Sequence, residues 1–149
     1  MASVHVDRTM ALERKLKDCY CDLHVHIGKA SNGQSVKISG SRDLTFAGIA
    51  KEAAERKGIE LIGIIDSHSP PVQQDIMDSL ESGEMTEAEG GGISYRGTTI
   101  VLGAEIEIRE PGRKECHVLA YMPDLKTMQD FSSWMSRYMR NINLSSQRL

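Results

Sequence analysis

The sequence predicts an α/β fold in which parallel strands carry polar residues to a common rim and a β-hairpin follows the second helix. Three observations predict it. An alternating run at residues 20–26, a helical periodicity over 45–57 and the nearly continuous apolar run IELIGII form a strand, helix, strand unit, the unit from which parallel sheets are built. Both strand-like runs lead into ionisable residues. The runs ISYRGTTIVLGAEIEI and CHVLAYM are separated only by REPGRKE, which is too short for a parallel crossover, so they pair as a hairpin turning near Pro111 and Gly112.

Taken in order, residues 8–17 read as a short charged helix within an N-terminal extension, 1–19, where His5 is an ordinary solvated side chain. The domain proper, 20–149, begins with the first strand and the loop GKASNGQSVKISGSRD. Thr45 or Asp43 caps a helix whose apolar positions Phe46, Ile49, Ala50, Ala53 and Ala54 recur at helical spacing, and Gly58 ends it. After IELIGII, a second helix covers 72–80 and stops at Gly83. The acidic EMTEAEGGG reads as an exposed loop, and an amphipathic helix through Phe131, Trp134, Met135 and Tyr138 follows the hairpin.

At 149 residues the chain is the size of one domain, and its formal charge of -3, with acids and bases interspersed, gives no basic surface of the kind that marks nucleic-acid binding from composition. The N-terminus lacks the apolar core and small-residue cleavage site of a signal peptide, and no run approaches the ~20 apolar residues of a membrane span. The expectation is a soluble cytoplasmic protein, with no membrane partner and reduced thiols. Cys19 and Cys21 share the parity of Leu23 and Val25, so they are expected as small buried hydrophobes; a zinc site with Cys116 lacks the C-x-x-C spacing.

The run DLHVH at 22–26 carries the chemistry. Successive strand side chains alternate, so Asp22, His24 and His26 share one face while Leu23, Val25 and Ile27 take the other. A clustered set of imidazoles and carboxylates is costly to bury unless a divalent cation satisfies it. The second strand runs into Asp66-Ser67-His68, and the third places Glu105 and Glu107 on one face, with His117 opposite Glu105 across the hairpin. Glu107 is read as a salt-bridge partner. Imidazole with carboxylate suits zinc or manganese, with magnesium or iron as alternatives, and a bridging Glu suits more than one ion. Hydrolysis at such a centre is the natural chemistry.

D-x-H-x-H at 22–26, the apolar strand into D-S-H at 66–68, G-A-E at 103–105 and H-V-L-A-Y at 117–121 together resemble the polymerase and histidinol phosphatase (PHP) superfamily of metal-dependent phosphoesterases. ERKGIELIGIIDSH, GGGISYRGTTIVLGAEIEI and NINLSSQRL are similar to the N-terminal part of its bacterial endonuclease Q branch, whose members nick DNA beside deaminated or abasic nucleotides. The resemblance implies a distorted (β/α) barrel, two or three metal ions in a complete site, and hydrolysis of a phosphodiester with no protein nucleophile. It implies His24, His26, His68, Glu105 and His117 as metal ligands. Glu105 and Asp66 are then the catalytic candidates, and Asp22 and Asp66 the carboxylates that orient imidazoles. Lys37, Arg42, Arg96, Arg109, Arg113 and Lys114 are candidates to neutralise phosphates, though each also reads as an ordinary exposed charge.

The sequence departs from that family at three places. Ser67 separates Asp66 from His68, Asn32 stands where some relatives carry an acid, and no late Asp-x-His follows His117. The expectation is therefore an incomplete barrel whose open edges invite self-association or a partner chain. Two further readings accompany the DNA phosphodiesterase: a small-molecule phosphate monoesterase of the histidinol phosphatase type, and an inactive metal-binding fragment serving a partner.

Overall fold

The computed structural model describes residues 18–41, 43–145 and 147–148. The helix expected at 8–17, His5 and Arg42 lie outside them. Strands are β1 (Cys21–Val25), β2 (Leu61–Ile64), β3 (Thr86–Glu87), β4 (Ile93–Tyr95), β5 (Thr98–Ile108), β6 (Cys116–Met122) and β7 (Gln147–Arg148); helices are α1 (Phe46–Lys51), α2 (Pro70–Glu81) and α3 (Leu125–Met135).

One mixed sheet holds all seven strands. Its order is β1-β2-β5-β4-β3, with β6 and β7 also pairing β5. The β1, α1, β2 unit is parallel, as the sequence predicts, and β2 is parallel to β5 as well. Thr45 caps α1 by accepting the Gly48 N–H, and Gly58, at φ 64°, ends the π-helical continuation Glu52–Lys57. α2 begins with Pro70 in its first turn, where the missing N–H costs nothing.

The core lies between the sheet and the first two helices. Phe46, Ile49, Val72 and Ile76 pack on Ile62, Ile64, Ile100 and Leu102, and burying Phe46 alone contributes about 1.5–3 kcal/mol. A smaller cluster of Ala104, Ile106, Met135 and Met139 seats α3 against the far half of β5. Gly28 closes the long first loop onto β1: a Cβ there meets the Ser41 carbonyl oxygen at 1.8 Å, so no other residue fits.

Four sequence expectations need correction. The run ISYRGTTIVLGAEIEI is two strands, because Arg96 and Gly97 both take positive φ (45° and 88°) and make a two-residue hairpin of the twist-matching kind between Tyr95 and Thr98. The hairpin of β5 and β6 is centred on Gly112 (φ 77°) instead of Pro111, which moves the register by two: Glu105 faces Leu119 and Glu107 faces His117. Cys19 and Cys21 are exposed, as is Cys116. Among the described residues β1 is an edge strand that pairs with β2 alone, so the apolar parity of its first residues has nothing packed on it. On α3 the buried face is Leu125, Met128, Ser132 and Met135, and Trp134 and Tyr138 stay 46% and 59% exposed in a row of rings with Phe131.

Among the described residues no helix is long and apolar enough to cross a membrane.

Candidate metal centre

His24 of β1 and His26, just past its end, face Glu105, which enters from β5. Glu105 is 2% exposed, a carboxylate taken almost wholly out of water. Three imidazoles surround it. His26 Nε2 stands 3.1 Å from Glu105 Oε2 and His24 Nε2 3.8 Å from the same oxygen, while His117 Nδ1 contacts Oε1 from β6. The two-residue shift of the hairpin leaves His117 diagonal to Glu105 on one face, within reach of its side chain.

Asp66 sets the state of His26. It stands where β2 ends, bridged to Ala104 of β5, and is fully buried. Its Oδ2 accepts both the Ile27 backbone N–H at 2.8 Å and His26 Nδ1 at 3.0 Å. Burial pushes the Asp66 carboxyl up, but hydrogen bonds from His26, Ser145 and Ile27 outweigh it and hold it below its ordinary value. An ionised Asp66 accepts the Nδ1–H of His26 and so favours the tautomer whose Nε2 lone pair faces Glu105 Oε2.

Two acceptors facing each other at 3.1 Å repel unless a cation or a proton lies between them. His24, His26 and Glu105 offer ligand atoms all within 4.8 Å of one another. Two imidazoles and one carboxylate are the donor set of hydrolytic zinc sites, so the residues present fit a divalent ion.

The remaining predicted residues fall differently. His68 is buried at the start of the turn into α2; its Nε2 meets the Leu144 carbonyl at 3.1 Å and its Nδ1 has no hydrogen-bond partner. It does not join the His24, His26, Glu105 group. Burial holds its imidazole below the usual pKa, against the pull of the Leu144 carbonyl and the Asp66 charge. Asp22 accepts the His24 backbone N–H at 3.1 Å, so it shapes the strand and does not orient an imidazole. Of the candidate phosphate-binding cations, Arg96, Arg109 and Arg113 pair with Glu55, Glu115 and Glu110 at the surface.

Two residues escaped sequence reasoning. Tyr121 has the parity of His117; its ring covers Gly103 and its hydroxyl contacts the Leu23 carbonyl. Period-two counting along HVLAY would have found it. Ser145, whose Oγ lies 3.0 Å from His26 Nδ1, is 119 residues away in sequence, and within NINLSSQRL nothing marked that hydroxyl out.

The chain is 49% identical over 135 residues to the protein YqxK of Bacillus subtilis (strain 168), a match that covers 90% of this chain and 35% of YqxK. No family model matches it. The lesion-specific endonuclease PfuEndoQ from Pyrococcus furiosus superposes with a TM-score of 0.65 at 23% identity, covering 88% of this chain and 29% of that one. The fold is shared with endonuclease Q. A second endonuclease Q structure, a complex with a 27-mer duplex substrate carrying an abasic lesion at the active site, gives a TM-score of 0.66 with the same identity and coverage. The chain thus spans about a third of the length of each of these proteins.

Proposed function

We propose that the chain is a metal-dependent phosphoesterase domain of the endonuclease Q kind, acting on a phosphodiester of damaged DNA. One observation carries the reading: on a fold shared with endonuclease Q, Nε2 of His26 faces a buried carboxylate, with His24 and His117 on the same group. A divalent cation held there supplies Lewis acidity and brings the pKa of a coordinated water toward neutrality. His24, His26 and Glu105 would hold it, and His117, on the second oxygen of Glu105, would favour a further ion. Asp66 keeps His26 in the ligating tautomer and supplies no nucleophile. Zinc or manganese suits these donors best.

The test is incubation of the purified chain, with zinc or manganese added, with duplexes containing an abasic or deaminated nucleotide, beside a phosphate monoester. Strand cleavage next to the lesion is the expected result. Turnover of the monoester alone would replace this substrate with a small phosphate.

A second reading, a metal-binding domain whose site another chain completes, is favoured by the edge strand. β1 pairs on one side among the described residues, and Tyr20 and Leu23 beside that edge are 78% and 41% exposed. Metal binding without turnover, together with self-association in solution, supports that reading over the first.

A further inference from the structure

The segment after α3 returns to the metal-binding residues and is fixed there at several points. Asn143 O accepts the Ser69 hydroxyl at 2.8 Å, Leu144 O meets His68 Nε2 at 3.1 Å, and the Ser145 N–H donates to Val36 O at 2.9 Å. Immediately beyond, β7 pairs in parallel with Ile106 and Glu107 of β5. These anchors fix the backbone of Ser145 independently of its side chain. The hydroxyl they position lies 3.0 Å from His26 Nδ1, the same nitrogen that meets Asp66 Oδ2.

We propose that Ser145 is a positioning residue for His26, a role that rests on the metal-centre reading above. His26 has a single Nδ1–H, which is shared between Asp66 Oδ2 and Ser145 Oγ, each at 3.0 Å. Asp66 selects the tautomer. Ser145 limits rotation of the imidazole about its bond to the strand and keeps Nε2 directed at Glu105. His26 is 18% exposed on the side chain, so packing alone does not enclose the ring. Groups that hold a ligating histidine by its other nitrogen contribute about 10–100-fold in metal affinity.

The experiment compares the whole chain with Ser145→Ala and Ser145→Thr by zinc affinity from chelator competition, by the visible spectrum of the cobalt-substituted protein, and by melting of the metal-free form. Ser145→Ala is expected to bind zinc about 10-fold more weakly, with an altered cobalt spectrum, and Ser145→Thr to return within about threefold of the parent. Melting of the metal-free proteins is expected to change little, since alanine keeps the N–H that bonds Val36. Should alanine not fold, Ser145→Cys, nearly isosteric and a poorer hydrogen-bonding group, carries the same expectation. Parental zinc affinity in Ser145→Ala overturns the proposal. Equal losses in alanine and threonine variants that follow their melting temperatures overturn it too, because the role is then structural. Failure of the parent chain to bind zinc refutes instead the metal-centre reading on which it rests.

Discussion

Replacing His24 and His26 together by alanine is expected to weaken zinc binding by more than about 100-fold while the fold persists. These two side chains supply two of the three ligand atoms that lie within 4.8 Å of one another, and Glu105 alone cannot hold an ion against water. The structural cost is small by comparison. His24 is 52% exposed, and truncating it leaves a hole that solvent fills. Losing His26 leaves Asp66 with fewer donors, a cost of about 1–3 kcal/mol against a domain stability on the order of 5–15 kcal/mol. Chelator competition gives the affinity and circular dichroism the fold. Unchanged zinc stoichiometry in the double variant would mean that the ion sits elsewhere.

The second large effect belongs to Asp66. Asp66→Ala is expected to destabilise the protein by about 2–5 kcal/mol, because it leaves buried donors without acceptors. Those donors are the Ile27 N–H and His26 Nδ1, both of which use Oδ2 of the one carboxylate. Asp66→Asn separates the two roles of the group. A side-chain amide oxygen in the place of Oδ2 still accepts both hydrogen bonds, so stability falls much less. It carries no charge to support His26, so zinc affinity still drops by about 10-fold or more. Urea denaturation alongside chelator competition reads both. An alanine variant as stable as the parent would show that Asp66 is not the anchor of this corner.

Much of this was legible from period-two counting. DLHVH puts His24 and His26 on one face, the polar residues after IELIGII fall where a parallel strand exits, and GAEIEI turns Glu105 inward. The parallel β1, α1, β2 unit followed from the same runs. What could not be read depended on distant segments or on loop centres. The hairpin register turned on whether Pro111 or Gly112 sits at the apex, a difference that local propensity does not resolve. Cys21 has the parity of a core residue, but the strand that carries it is at an edge. His68 shares the motif spacing of the other histidines, and only the return of the chain at Leu144 explains why its Nε2 faces a carbonyl. Ser145 is the extreme case, a hydroxyl placed by tertiary structure alone.

X-ray absorption at the zinc edge of the loaded protein tests the convergence of imidazole and carboxylate most directly. The account predicts nitrogen and oxygen scatterers at about 2.0–2.2 Å, with the outer-shell pattern of at least two imidazoles and no sulfur. A sulfur shell at about 2.3 Å would place the ion on Cys19, Cys21 or Cys116 and contradict it.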